Sequence, residues 1–198
     1  MDSSKLAFKL FLTDPGAVKP GEIVPVFHQI IQTKGVPEHL LIDVADYEHV
    51  PNGPGTLLVA DEANIHLDYH AGRPGLLYIR KRPLAGDLKD RIKTALRYTL
   101  ELALKLEQHP QLGGRVKFST RELTFRVYDR LHAPNNAESF ATVKPALEAV
   151  LSEAFPIATL SYSPAGTPEE LFEIRVTADA DPGVGAMLEC LGYFPAVA

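Results

Sequence analysis

The sequence predicts an α+β fold: a mostly antiparallel sheet with helices packed on one face. Three short alternating segments between residues 56 and 82 follow one another across turns of a few residues. Parallel neighbours would need crossovers of about a dozen residues or more, so these strands form a meander. Helical periodicity appears in separated stretches and not after every strand, which argues against a doubly wound α/β fold.

The elements follow in order. LAFKLFLT at 6–13 is apolar and aromatic-rich and is stopped by DPG at 14–16, so it reads as a strand and not as a signal peptide. From Glu22 to Lys34, Ile23, Phe27, Ile30 and Ile31 make one helical face. Pro25 suits the first turn of that helix, and Gly35 suits the left-handed position just past its end. HLLIDVADY at 39–47 is a strand with Leu40, Ile42 and Val44 on one face, and PNGPG at 51–55 is a turn. TLLVA at 56–60, NIHLDYH at 64–70 and LLYIRKR at 76–82 are the meander, with GRPG at 72–75 between the last two.

Residues 87–109 hold the longest helix, with Leu88, Ile92, Leu96, Thr99, Ala103 and Leu106 on one face and Asp87 as cap. RVKFSTRELTFRVYDR at 115–130 changes phase between Phe118 and Leu123, which predicts two strands or a bulge. Ala137 to Phe155 is helical, and Pro145 inside it marks a kink or the true start. ATLSYS at 158–163 and LFEIRVTAD at 171–179 are strands around PAGTPEE, and GVGAMLECLGY is a closing helix. The expected order is β-α-β, the meander, then α-β-β-α-β-β-α. All of 1–198 reads as one α+β domain; a lobe boundary near 110–115, dividing two similar lobes, stands as the alternative to one continuous sheet.

No apolar run approaches the roughly 20 residues that cross a bilayer, and the single cysteine excludes an intramolecular disulfide. The expectation is a soluble, cytoplasmic protein. A net charge of −5 disfavours a nucleic-acid binder. The charge is uneven, because RKRPLAGDLKDRIKTALR at 80–97 carries seven basic residues against Asp87 and Asp90. Cations in the first turns of a helix oppose its dipole, so Lys89, Arg91 and Lys93 gain nothing from the helix itself. With Arg80 and Arg82 they are candidates for holding an anionic ligand or an acidic protein surface.

His66, Asp68 and His70 stand two apart along NIHLDYH. Residues two apart on a strand are about 6.6 Å from one another, whereas a metal–imidazole bond is about 2.0–2.1 Å. A metal would therefore need a further ligand, with His49 or Asp61 nearest by topology. The simpler reading is a solvent-facing row behind Ile65, Leu67 and Tyr69, with no metal and no cofactor.

Other motifs fall short. GVG at 183–185 lacks a third glycine, since Leu188 takes its place, and Asp179 and Asp181 would repel a pyrophosphate. NGPG at 52–55 lacks the GK[ST] of a P-loop, and Ser161 and Ser163 lack the glycines of a nucleophile elbow. Cys190 reads as a small buried hydrophobe. The sequence thus describes a binding or interaction protein without an evident catalytic centre, compatible with a homodimer, acting on an anionic partner through 80–97. The alternative is a metal-assisted hydrolase or related enzyme built on the His66/Asp68/His70 strand.

Overall fold

A computed structural model of the chain describes residues 5–50 and 53–194, so part of the expected 51–55 turn lies outside the described residues. Its elements are β1 (Leu6–Leu12), α1 (Pro20–Gln32), β2 (Leu41–Asp46), β3 (Thr56–Ala60), β4 (Ala63–Asp68), β5 (Gly75–Arg80), α2 (Leu88–Gln108), β6 (Phe118–Val127), α3 (Ala137–Ala154), β7 (Leu160–Ala165), β8 (Phe172–Ala178) and α4 (Val184–Cys190). The eight strands form one sheet in the order β2-β3-β4-β5-β1-β6-β8-β7, antiparallel at every junction. Of the two arrangements open from the sequence, the chain adopts the continuous sheet. Among the described residues, no helix is long and apolar enough to cross a membrane.

The helices pack on one face. Alternate residues of β1, Leu6, Phe8, Leu10 and Leu12, join the core with Ile92, Leu96 and Ala103 of α2. Phe8 meets Phe125 of β6 edge-on, with ring centroids 5.1 Å apart. α2 lies centrally and touches β1, β5, α3 and α4, while α1 covers β2 and β3. Asp87 caps α2 as expected, accepting from the Asp90 amide at 3.0 Å. Of the predicted face of α2, only Leu88 is less than buried.

Several local expectations are corrected. Of the two readings of the 115–130 phase change the bulge holds and the two strands do not: residues 118–127 are one strand, whose pairing jumps from Leu10↔Leu123 to Phe11↔Ser119. The order is therefore β-α-β-β-β-β-α-β-α-β-β-α. Leu40 and Ile42 do not face the core; they are 66% and 57% exposed, because a register shift between Leu41 and Asp43 turns Leu41 and Val44 inward instead. Pro25 lies in the second turn of α1, and Pro145 lies inside an unbroken α3. Both prolines, and Gly21 and Ala141 four residues before them, are exposed, so the carbonyls that lose a helical partner sit on the wet side. At the end of α1 the left-handed residue is Lys34 (φ 49°), not Gly35. The Lys34 and Gly35 amides donate to the carbonyls of Ile31 and Ile30 at 3.0 and 2.8 Å, closing a Schellman turn.

Candidate functional site

β4 buries Ile65 and Leu67 against the helices and turns His66 and Asp68 to the opposite face. Among the described residues no helix covers that face, yet His66 is only 8% and Asp68 only 5% exposed, so the solvent-facing row expected there is corrected to a nearly dry one. Strand register explains the burial. One line of cross-strand neighbours runs Ala45, Leu57, His66, Leu77, Lys9, Thr124, Arg175, Ser163 across all eight strands. The charged side chains of this face lie mainly on β1, β6 and β8 and are joined there by Asp68 of β4.

These charged side chains are internally paired. Lys9 donates to Asp68 at 2.6 Å, and Asp68 also accepts the His70 amide at 3.0 Å. Arg73 grips Glu122 with two bonds of 2.9 and 2.8 Å while its guanidinium lies 3.9 Å from the Phe11 ring centre. Arg126 pairs with Glu173, and Arg175 stands 3.4 Å from Glu122. Burial pulls the Lys9 ammonium below its usual range, with Asp68 opposing that shift. Burial also lowers the His66 imidazole, whose Nδ1 lies 3.3 Å from the Pro54 carbonyl. Lys9 was not singled out from the sequence, although a lone cation in LAFKLFL was the available signal.

The alternative metal set is not assembled. Asp68 is held by Lys9, His70 lies past the strand in the exposed turn His70–Gly72, and His49 is exposed on another loop. Asp61 receives two bonds from Arg82 at 3.1 and 2.7 Å. Among the described residues no three His, Cys, Asp or Glu side chains come together as a metal site.

The basic segment does not converge either. Arg80 is buried and donates to the Arg82 carbonyl at 2.8 Å. Lys89 and Lys93 both clamp Glu153 of α3, at 2.8 and 2.7 Å. Arg91 is buried with its Nε 3.2 Å from the Asp87 carbonyl. These cations stitch α2 to α3 and the end of β5 to the loop at Asp61.

Open valences gather elsewhere, on the helical side. The end of α1, residues 33–37, the second half of α2, Leu188 of α4 and the pair Tyr193–Phe194 enclose a groove of about 660 Å³. Ile30, Val36, Leu102 and Leu188 are its buried apolar lining, and Phe194 stands on the rim 80% exposed. Glu101, Lys105 and His109 line it at positions i, i+4 and i+8 along α2. Burial raises the Glu101 carboxyl, whose charged partner is Arg97 at 3.9 Å. Arg97 in turn stacks on Tyr98 and Tyr193, 4.3 and 5.0 Å from the ring centres. His109 is buried, its Nδ1 has no hydrogen-bond partner among the described residues, and burial together with Lys105 lowers its imidazole. Lys34 and Lys105, both exposed and both lining the groove, have no ion-pair partner among the described residues.

No motif in the sequence marks these residues. The signal was a polar stripe of period four on a helix otherwise read for its apolar face. Cys190 is exposed at the end of α4, not buried, because Met187 and Leu188 take the inward positions of that short helix. In comparison with known proteins, no protein-family model and no curated protein matches this chain.

Proposed function

We propose that this chain is a binding protein that takes a small, largely apolar molecule into the groove between α1, α2 and α4. The observation that carries the reading is the coincidence of concavity with unmet bonding capacity. The groove, about 660 Å³, falls within the roughly 300–1,000 Å³ of small-molecule sites. Its apolar lining removes hydrocarbon from water, while the Nδ1 of His109, a lining residue, has no hydrogen-bond partner among the described residues. The charges of the helix-free sheet face, by contrast, are already satisfied by one another.

The chain has no tryptophan, so a single one reports locally. In Phe194→Trp the new indole sits on the groove rim. Titration with decan-1-ol is expected to give a saturable blue shift of its emission. Ile157→Trp, at an exposed position outside the groove lining, is the control and is expected not to respond. An unchanged Phe194→Trp spectrum, or equal responses at the two positions, overturns the reading.

A further inference from the structure

We infer that the outer edge of β2 is a docking site for a basic, extended peptide segment of a partner protein, added to the sheet as a further strand. The inference is independent of the groove reading.

The backbone supplies the first argument. β2 is an edge of the sheet, with β3 on one side and no strand on the other among the described residues. The Tyr47 amide donates to the Gly55 carbonyl at 3.1 Å, and the register runs unbroken from there back to Asp43↔Val59. Bonded and unbonded pairs alternate in an antiparallel ladder, so Val44 and Asp46 turn their N–H and C=O groups away from β3. The Val44 amide is taken up instead by the carboxylate of its own neighbour, Asp43, at 2.8 Å. A carbonyl of an incoming strand can replace that carboxylate and leave it free for a cation. The opposite edge, β7, is closed to such pairing by Pro164.

Side chains select the partner. Leu40 and Ile42, 66% and 57% exposed, offer aliphatic contact beside the open backbone groups. The sequence has no Lys or Arg from Gly35 to Gly72. Three carboxylates of this stretch borrow cations from elsewhere: Glu38 from Arg97, Asp61 from Arg82 and Asp68 from Lys9. Asp43, Asp46 and Glu48 are exposed and have no ion-pair partner among the described residues. Acidic side chains and the bulge at Ile42 blunt this edge toward neutral and acidic strands. A second copy of β2 would bring two aspartates from each chain to one seam, and like charges across a strand pair destabilise it. A strand carrying Lys or Arg turns the same carboxylates into attraction, while its main chain satisfies Val44 and Asp46.

The test is fluorescence anisotropy with three dansylated peptide amides. Lys-Val-Lys-Val-Lys-Val-Lys is expected to bind saturably. Glu-Val-Glu-Val-Glu-Val-Glu is expected not to bind. Lys-Val-Lys-Pro-Lys-Val-Lys keeps the charge but cannot continue a strand, and is expected to bind at least about tenfold more weakly. Asp43→Asn/Asp46→Asn is expected to weaken the first peptide about fivefold, the worth of two exposed ion pairs. Val44→Pro removes an amide that lies outside the β2–β3 ladder and is expected to abolish binding. Leu40→Ser/Ile42→Ser, at exposed positions, is expected to weaken binding and carries the test should Val44→Pro fail to fold. Amide exchange is expected to slow at Val44 and Asp46 when the first peptide is present. Equal binding of the proline peptide, protection confined to other segments, or no binding at all overturns the inference. So does a dimer of the chain alone that Leu40→Ser/Ile42→Ser dissolves, which would assign the edge to a second copy.

Discussion

Lys9 and Asp68, separated by 59 positions in the chain, meet at 2.6 Å on the face of the sheet that, among the described residues, no helix covers. Their side chains are 3% and 7% exposed. Desolvating two charges costs several kcal/mol per ion, and their mutual attraction offsets it only while both are present. Lys9→Met or Asp68→Leu alone is therefore expected to destabilise the protein by about 3–5 kcal/mol, since each leaves one buried charge unpaired. The double variant Lys9→Met/Asp68→Leu is expected to recover most of that loss. Urea unfolding of the four proteins measures it, and single variants each costing under about 0.5 kcal/mol, as surface changes do, would contradict the picture.

Leu96 is fully buried at the centre of α2, packed toward β1 and β5. Leu96→Ala is expected to cost about 2–5 kcal/mol in the same assay. Leu88, half-buried at the start of the same stripe, is expected to cost less. Equal losses at the two positions would mean that the stripe does not deepen into the core as described.

His66 sets a pH dependence. Burial lowers its folded-state pKa, while the unfolded chain takes up the proton near the ordinary value of about 6.5. Below that pH the unfolded state binds more protons than the folded state, so stability falls as pH drops from about 6.5 through the lowered folded pKa. His39 and His109, also lowered by burial, act in the same sense. His66→Gln is expected to reduce the protons taken up on unfolding in this window. Calorimetry across pH 5–7 in buffers of different ionisation enthalpy measures that number; an unchanged uptake would be the contrary result.

Ala71 sits at φ 57° in the exposed turn after β4. A left-handed conformation costs an alanine about 1–2 kcal/mol, of which glycine's larger unfolded-state entropy returns roughly half. Ala71→Gly is expected to stabilise the protein by about 0.5–1 kcal/mol. Glu38, at φ 59°, is expected to behave oppositely, because its carboxylate accepts from Tyr98 at 2.6 Å and Arg97 at 3.0 Å. A rise in melting temperature for Ala71→Gly and a fall for Glu38→Gly is the pattern sought.

Periodicity carried most of the fold. The stripe of α2, the alternation of β4 and the phase change between Phe118 and Leu123 each placed their element, because burial of one face fixes register over several residues at once. Single-residue cues misled where solvent was the deciding factor. Pro25 and Pro145 fit inside helices because their lost partners face water, and Ile42 is exposed because a bulge breaks the alternation. The charges of the 80–97 segment were visible, but Glu153 and Asp61, which neutralise Lys89, Lys93 and Arg82, lie outside that segment. The groove was hidden for a related reason. Its lining comes from residues as far apart as Gln29 and Phe194, and only the Glu101–Lys105–His109 stripe was local enough to read.

The place of β1 in the sheet bears on how the chain is made. This first strand hydrogen-bonds to β5 and β6, pairing Lys9 with Leu77 and Thr124. At translation rates of about 5–20 residues per second, LAFKLFL would wait about 4–14 s for its first partner strand and longer for the second. All seven of its residues are buried in the finished protein. Meanwhile β2 to β5 have only near neighbours to find, so they can close as a meander whose β5 edge receives β1, and β6 then covers the remaining side. A nascent chain stalled before residue 75 would carry an apolar strand with nothing to pair with, and the demand for chaperones should peak there.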